Sequence, residues 1–164
     1  MRTHTIIDSP VGALTLVAQD GILAGLFMVA HKRSPSADIG DRTAAGFEAA
    51  AEQLAEYFAG ERRDFELETA AEGNVFQHKV WHQLTLIPYG QTRSYGDLAR
   101  ALGDKSLAQA VGAANGRNPL GLIVPCHRVV GADGSLVGYA GGLERKEFLL
   151  QLENPARAST QPLF

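Results

Sequence analysis

The chain is short of cysteine and of long apolar runs, and both shortages limit what it can be. A single cysteine, Cys126, excludes an internal disulfide and a cysteine-rich zinc site, which leaves a buried small hydrophobe or a reactive thiol. No stretch approaches the roughly 18 apolar residues of a membrane-spanning helix. The first ten residues also lack the apolar run of a signal peptide. We therefore expect a cytoplasmic protein with no membrane partner, and we assign it no metal site and no cofactor.

The chain as a whole also lacks the positive charge that is typical of nucleic-acid-binding proteins, since its formal net charge is −3. The distribution of charge changes that picture. Residues 1–73 carry six Lys and Arg against twelve Asp and Glu, whereas residues 74–153 carry eight against six. The second half is therefore the only plausible platform for a polyanion, and a weak one.

The first half predicts a small antiparallel sheet followed by a helix. Short apolar runs alternate with the turn sequences SPVG and DG over the first thirty residues, a pattern typical of a meander. Residues 31–41 are polar and predict a loop. Apolar residues then recur at helical spacing before Gly60, a typical helix stop: Phe47, Ala51, Leu54 and Phe58. Residues 65–68 alternate as one more strand, so residues 1–73 form the predicted N-terminal domain.

The second half predicts three helices, each introduced by a side-chain cap. The caps are Asn74 with Gln77, Ser94 with Asp97, and Ser106 with Gln109. The last two helices are joined by a glycine-containing turn over residues 102–105, which predicts a helix-turn-helix, although an ordinary helical hairpin has the same pattern. The predicted fold is α+β: an N-terminal sheet with a helix, then a mostly helical domain over residues 74–154, and a tail over residues 155–164.

The third of these helices, residues 107–116, has the sequence LAQAVGAANG and is almost free of long polar side chains. Helices that read the major groove need such side chains to reach base edges. Small residues instead permit a close approach to a minor groove with little sequence preference, or equally tight packing against another helix.

The candidate chemical centre follows this helix. An apolar run over residues 120–124 predicts a buried strand or extended segment. It leads to Pro125, which fixes the backbone before Cys126. His127 and Arg128 come next, and both types of side chain lower the pKa of a nearby thiol.

Adjacent side chains point apart, so His127 cannot reach the thiol of Cys126 directly. A bridging water would carry the proton between them, with a carboxylate on the far ring nitrogen to fix the tautomer. The glycine-rich residues 131–142 predict a loop that wraps a pocket beside this pair.

Three motifs together resemble a known family. They are IVPCHRVV at residues 123–130, GYAGG at residues 138–142 and GQTRSYGDLA at residues 90–99. Together they are similar to the motifs of the O6-alkylguanine-DNA alkyltransferases, also called methylated-DNA–protein-cysteine methyltransferases. The resemblance covers residues 76–153, and the first half looks like that of the bacterial members.

The resemblance implies a role for each matching residue. Cys126 is the alkyl acceptor, His127 its water-mediated base, Glu153 the carboxylate that orients His127, and Asn118 the support of the cysteine loop. The expected substrate contacts are Tyr95, Val129, Tyr139 and Ala140. The expected DNA contacts are Gln109, Ala110, Ala113, Ala114, Arg117 and Arg128.

The implied activity is DNA repair by a stoichiometric, irreversible transfer of an alkyl group from guanine to Cys126, after the nucleotide is flipped out of double-stranded DNA. The implied state is a monomer off DNA. Whether alkylthymine is also a substrate, and whether copies cooperate on DNA, stays open. Two other classes are compared with this one: a DNA-binding module without activity, which in this family lacks the cysteine, and a cysteine hydrolase, in which His contacts Cys directly.

Two residues depart from the family pattern. Gln109 stands where an arginine commonly fills the space left by the flipped nucleotide, so weaker or slower engagement of DNA is expected. Ala140 stands where many relatives have a serine that steadies the substrate oxygen, so one contact fewer is expected.

Overall fold

The computed structural model describes residues 1–28, 39–139 and 141–157, and these residues form two compact units. The first unit contains the described residues of Met1–Glu72 together with Pro119–Ile123. The second contains Gly73–Asn118 and the described residues of Val124–Phe164. Among the described residues, no helix is long and apolar enough to cross a membrane.

The first unit is built on a four-stranded sheet in the order β3-β2-β1-β4. The strands are β1 (Arg2–Ile7), β2 (Leu14–Gln19), β3 (Ile22–Met28) and β4 (Asp41–Arg42). The predicted antiparallel meander is present as β1 to β3, and the two-residue turn at Asp20 and Gly21 has positive φ at both positions, as a tight hairpin requires. The short β4 pairs parallel to β1, which makes the sheet mixed. The loop predicted over residues 31–41 lies mostly outside the described residues.

Helix α1 (Glu48–Phe58) ends before Gly60, as its pattern predicts. Its buried side is rotated from the predicted one, because Ala50 and Tyr57 are buried whereas Ala51 and Phe58 are only partly so. The helix buries its apolar face within a unit whose core also contains residues of β2 and β3: Leu14, Leu16 and Leu26.

The strand predicted over residues 65–68 is wrong. The side-chain amide of Gln53 on α1 donates to the carbonyl of Glu66, at 3.2 Å, and accepts from the Glu66 N–H, at 2.8 Å. These bonds occupy backbone groups that a ladder would need. The segment reaches the sheet only at Thr69, which forms an isolated bridge with Leu23.

The apolar residues 120–124 are not a strand, which corrects a second prediction. Leu120 makes one parallel bridge to Leu26, and a turn follows over residues 121–123 in which Leu122 has φ of 70°. The Leu26 N–H donates to the Pro119 carbonyl at 2.8 Å. Pro119–Ile123 belong to the first unit, whereas the predicted domain over residues 74–154 includes them.

The second unit contains four helices: α2 (Val75–Thr85), α3 (Tyr95–Ala101), α4 (Ala108–Gly116) and α5 (Leu143–Glu153). Two 3₁₀ turns, Lys105–Leu107 and Cys126–Arg128, and a parallel pair of short strands, β5 (Arg93–Ser94) and β6 (Val129–Val130), complete it. Helices α3 and α4 form the predicted helix-turn-helix pair, and both contact α2.

Two of the three predicted caps are present. Asn74 and Ser94 each form a reciprocal capping box with the residue three positions later. The cap predicted at Ser106 is wrong, because Asp104 caps the preceding 3₁₀ turn by accepting from the Ser106 N–H at 2.9 Å. Helix α4 then continues from that turn without a side-chain cap.

Candidate active site

The lone cysteine lies in the 3₁₀ turn Cys126–Arg128, directly after Pro125. The Cys126 N–H donates to the Val124 carbonyl at 2.8 Å, and the Arg128 N–H donates to the Pro125 carbonyl at 3.0 Å. All three side chains of the turn are buried: Cys126 is 5% exposed, His127 is fully buried, and Arg128 is 6% exposed. Successive residues of a 3₁₀ turn point about 120° apart, so this backbone directs Cys126 and His127 to different sides.

Two asparagines tie this turn to the end of α4. Asn118 donates from Nδ2 to the Val124 carbonyl at 2.8 Å, and its side chain also hydrogen-bonds to Cys126. Asn115 donates from Nδ2 to the Cys126 carbonyl at 3.4 Å. The predicted place of Asn118 beside the cysteine loop agrees with this geometry. Asn115 was not predicted, because an Asn in the last turn of a helix is common and carries no distinct signal.

His127 is held by one ring nitrogen and leaves the other unsatisfied. Its Nε2 lies 2.7 Å from Oε2 of Glu153, the last residue of α5. Its Nδ1 is buried and has no hydrogen-bond partner in the part of the chain that the structure describes. A hydrogen bond of Nε2 to a carboxylate leaves Nδ1 as the atom that can accept a proton.

Arg128 holds the same carboxylate from its other side. It donates from Nε to Oε1 of Glu153 at 2.8 Å and from Nη2 to Oε2 at 3.0 Å. It also donates from Nη1 to the Ile87 carbonyl at 2.8 Å. The DNA contact expected of Arg128 is therefore corrected: the guanidinium is buried in this ion pair and does not face a phosphate.

Burial and the neighbouring charges shift the pKa of each member of this cluster. Burial alone raises the pKa of Glu153, but the hydrogen bonds of His127 and Arg128 and the positive charge of Arg128 bring it well below its ordinary range. Burial also lowers the pKa of His127, against the opposing effect of Glu153. His127 is therefore a neutral base beside an ionised carboxylate at neutral pH.

The thiol of Cys126 is protonated at rest. Burial raises its pKa, and the hydrogen bond of Asn118 and the charge of Lys146 only partly oppose that rise. A thiol of this kind needs a base to accept its proton before it can act as a nucleophile.

Lys146 is a functional candidate that sequence reasoning missed. It lies on α5, is fully buried, and donates from Nζ to the carbonyls of Gly138, at 3.0 Å, and Val137, at 3.3 Å. Burial lowers the pKa of Lys146 to about 8. A lysine between an arginine and a glutamate in a charged stretch is typical of an exposed helix face, so the sequence held no signal for it.

The predicted substrate contacts lie around the same turn. The hydroxyl of Tyr95, the first residue of α3, donates to the Val137 carbonyl at 2.9 Å. Val129 is fully buried in β6, and Tyr139 is half-buried. Burial raises the pKa of both tyrosines, which stay protonated donors at neutral pH. Ala140 lies outside the described residues.

The predicted DNA contacts divide into exposed and buried positions. Four of them are exposed: Gln109, Ala110 and Ala113 of α4, and its C-cap Arg117. The side chains of Ala110 and Ala113 are short. Ala114 is only 3% exposed, and Trp81 on α2 donates from Nε1 to its carbonyl at 2.9 Å. The DNA contact expected of Ala114 is therefore also corrected, because this side of α4 packs inside the unit.

Comparison with known proteins places both parts of the chain in one family. Residues 75–155 match the model of the 6-O-methylguanine DNA methyltransferase DNA-binding domain, and residues 3–71 match that of its ribonuclease-like domain. A methylated-DNA–protein-cysteine methyltransferase of Mycolicibacterium paratuberculosis is 46% identical over 164 residues, which is all of this chain and 99% of the relative.

Two solved structures from Mycobacterium tuberculosis are similar over nearly the whole chain. The crystal structure of OGT in complex with DNA is 46% identical, with a TM-score of 0.90 over 93% of each chain. The crystal structure of O6-methylguanine methyltransferase is 46% identical, with a TM-score of 0.88 over 98% of this chain and 97% of that one. The chain, with its buried Cys126–Arg128 turn and its helix-turn-helix, therefore belongs to the 6-O-methylguanine DNA methyltransferase family.

Proposed function

We propose that this protein repairs double-stranded DNA by transferring the alkyl group of an O6-alkylguanine to its own Cys126. The observation that carries the proposal is the buried turn itself. It presents one thiol beside a histidine whose Nε2 is bound to Glu153 and whose Nδ1 is unsatisfied among the described residues. Membership of the family supports the same assignment.

The transfer needs one proton acceptor and one displacement. Through solvent, the Cys126 thiol gives its proton to Nδ1 of His127, and Glu153 stabilises the imidazolium that forms. The sulfur attacks the alkyl carbon, a bond forms between them, and the bond from that carbon to O6 breaks. The electron pair of the broken bond stays on guanine, which takes up a proton at its ring nitrogen. The imidazolium of His127 releases its proton to solvent, so no charge is left over.

The product explains why the reaction is used once. A thioether has no carbonyl for water to attack, unlike the thioester of a cysteine hydrolase. No second cysteine exists to take the alkyl group away. The reaction is therefore stoichiometric, with one lesion repaired by each chain.

Helix α4 supplies the surface that faces DNA in this proposal. Its exposed positions Ala110 and Ala113 permit close contact with a minor groove, and they give little base-specific reading. The damaged base must be flipped out to reach Cys126, since the alkylated oxygen is hidden inside the duplex. Tyr95, Val129 and Tyr139 are the proposed contacts of the flipped base.

The test is incubation with duplex oligonucleotides that carry one O6-methylguanine, followed by mass spectrometry of the intact protein and its peptides. We expect the mass gain of one methyl group on Cys126, saturating at one lesion per chain. The matched variant Cys126→Ser, which keeps the size of the side chain, gains no mass. A parallel duplex with O4-methylthymine decides whether that adduct is also a substrate.

Two other outcomes would each indicate a different function. Tight binding of the damaged duplex with no mass gain indicates a recognition module without activity. Repeated turnover of a small ester or amide, lost in Cys126→Ser, indicates a hydrolase. Either result contradicts alkyl transfer.

A further inference from the structure

The carboxylate of Glu153 is shared between two side chains of one 3₁₀ turn. Oε2 lies 2.7 Å from Nε2 of His127 and 3.0 Å from Nη2 of Arg128, while Oε1 lies 2.8 Å from Nε of Arg128. A two-point contact with a guanidinium fixes the plane of a carboxylate, which a single bond from an imidazole does not. The orientation of Glu153 toward His127 is therefore set by Arg128.

Arg128 is itself fixed at a third point. Its Nη1 donates to the Ile87 carbonyl at 2.8 Å, and its guanidinium lies 5.7 Å from the centre of the Tyr89 ring. The residue thus joins the turn that carries Cys126 to the end of α5 and to the segment after α2. A lysine has one compact ammonium and cannot make the two-point contact with Glu153 and the third bond in the same planar geometry.

The charges of the cluster also balance. Glu153 and Arg128 form a buried pair with no net charge beside a neutral His127. A buried carboxylate facing a histidine alone would draw a proton onto the imidazole, because an opposite charge favours the charged form. The guanidinium cancels much of that attraction, so the imidazole stays free to accept a proton.

We propose that Arg128 is a positioning residue of the alkyl-transfer reaction, which orients Glu153 on His127 and keeps His127 unprotonated until Cys126 gives up its proton. The inference rests on the proposed function. Arg128 acts through Glu153 and His127, since its side-chain hydrogen bonds go to Glu153 and to the Ile87 carbonyl.

The groups that face His127 agree with this role. Burial is the main cause that lowers the pKa of His127, Glu153 opposes it, and the charges of Arg128 and Lys146 add to the lowering. Glu153 and Lys146 come from α5, and Arg128 comes from the same turn as His127. Helix α2 also contacts this turn, but its titratable residues are all exposed: His78, Lys79 and His82.

The test compares three variants in the full chain: Arg128→Met, Arg128→Lys, and Arg42→Met as a control at an exposed arginine of β4. Two quantities are measured for each. One is the single-turnover rate of methyl transfer from duplex DNA as a function of pH. The other is the titration of the His127 ring by NMR in unreacted protein.

We expect Arg128→Met to move both the His127 titration and the acid limb of the rate profile to higher pH. Its plateau rate should fall by on the order of ten- to a hundredfold, because the base is no longer held in one orientation. Arg128→Lys keeps the charge and loses the two-point contact, so its acid limb stays near that of the wild type while its plateau falls. Arg42→Met matches the wild type in both.

A folded Arg128→Met whose His127 titration and acid limb equal those of the wild type overturns the proposal. If Arg128→Met does not fold, Arg128→Lys decides alone, and a wild-type plateau rate in that variant overturns it. The NMR titration uses no DNA, so it tests Arg128 even if wild-type protein gains no methyl group, a result that would reject the proposed function instead.

Discussion

At the scale of single residues, the site combines a thiol that is protonated at rest with a base that is neutral at rest. Burial raises the pKa of Cys126 and lowers the pKa of His127. Both shifts disfavour a thiolate–imidazolium pair in the resting protein. The proton therefore passes from Cys126 to His127 only when the reaction stabilises that ion pair. The hydrogen bond of Asn118 is the largest influence that lowers the pKa of the thiol, and the charge of Lys146 is the next.

Lys146→Met should make Cys126 harder to ionise. The variant removes the buried cation whose charge lowers the pKa of the thiol, so that pKa should rise. We expect the reaction of Cys126 with iodoacetamide to slow several-fold at neutral pH, where Lys146 is charged because its pKa is about 8. Lys79→Met, on the exposed side of α2, is the control and should react at the wild-type rate. An unchanged rate in a folded Lys146→Met would show that this cation does not act on Cys126.

Gln109→Arg should strengthen binding to duplex DNA. Gln109 is exposed on α4, where an added guanidinium can neutralise one more phosphate and fill the space of a flipped nucleotide. We expect a several-fold higher affinity, a faster methyl transfer, and a log–log salt dependence steeper by about one. The control Gln151→Arg adds the same charge at an exposed position of α5. Equal affinity and rate in Gln109→Arg and the wild type would mean that the expected deficit at this position does not exist.

The residues of the site were predictable to different degrees. Cys126 and His127 follow from the motif and from the scarcity of cysteine, whereas Glu153 follows only from resemblance to the family. Arg128 was expected among the DNA contacts that the resemblance implies, and only the folded chain brings it to Glu153. Long-range pairing of charges leaves no local pattern in the sequence, which is also why Lys146 was missed.

At the scale of elements, helices α2 and α3 begin at side-chain caps, whereas α4 continues from a 3₁₀ turn. The capping boxes at Asn74 and Ser94 satisfy N–H groups that a helix start leaves open. Ser106 was predicted from the same spacing of residue types. It fails because Asp104, two residues earlier, already accepts the Ser106 N–H. Spacing alone does not tell a capping residue from a residue that is itself capped.

A pair of substitutions tests this difference. Ser94→Ala removes the acceptor of the Asp97 N–H at the start of the seven-residue α3, and should lower the free energy of unfolding by about 1 kcal/mol. Ser106→Ala should lower it by no more than about half of that, since Ser106 does not cap α4. Urea unfolding followed by circular dichroism measures both. Equal losses would restore Ser106 as a cap.

The strands were predictable where the alternation of residues continues into a tight turn, as in β2 and β3. Residues 65–68 have the same alternation, but a side chain of α1 occupies their backbone groups. The alternating pattern indicates which residues prefer an extended backbone, but it does not indicate which groups form hydrogen bonds with that backbone.

At the scale of the whole molecule, the sequence predicts two domains that divide between residues 73 and 74, and this division stays a prediction. The sequence could not show that Pro119–Ile123 packs with the first compact unit. That contact joins Leu26 and Leu120, which are far apart in the chain and carry no signal beyond being apolar. Apolar runs predict burial well, but they do not predict which partner provides it.

The acid stability of the protein should depend on Glu153. Its folded pKa lies below the unfolded value near 4.5, so the unfolded chain takes up the proton first as the pH falls. The stability that this shift provides is complete above pH 4.5 and is lost as the pH falls below it. We expect Glu153→Gln to be less stable than the wild type at neutral pH. Between pH 5 and pH 3, the free energy of unfolding of the variant should fall by about 1 kcal/mol or more less than that of the wild type. Urea unfolding at each pH measures this, with Glu52→Gln, exposed on α1, as the control. Parallel acid profiles would show that Glu153 does not contribute.

The burial of the single thiol has a consequence for how long the protein remains usable. Peroxide attacks thiolates far faster than thiols, and the oxidised forms of cysteine can no longer act as nucleophiles. Cys126 is 5% exposed and protonated at rest, so few oxidant molecules meet it in a susceptible form. If each chain reacts only once, as proposed, burial keeps its thiol chemically intact until it meets a lesion.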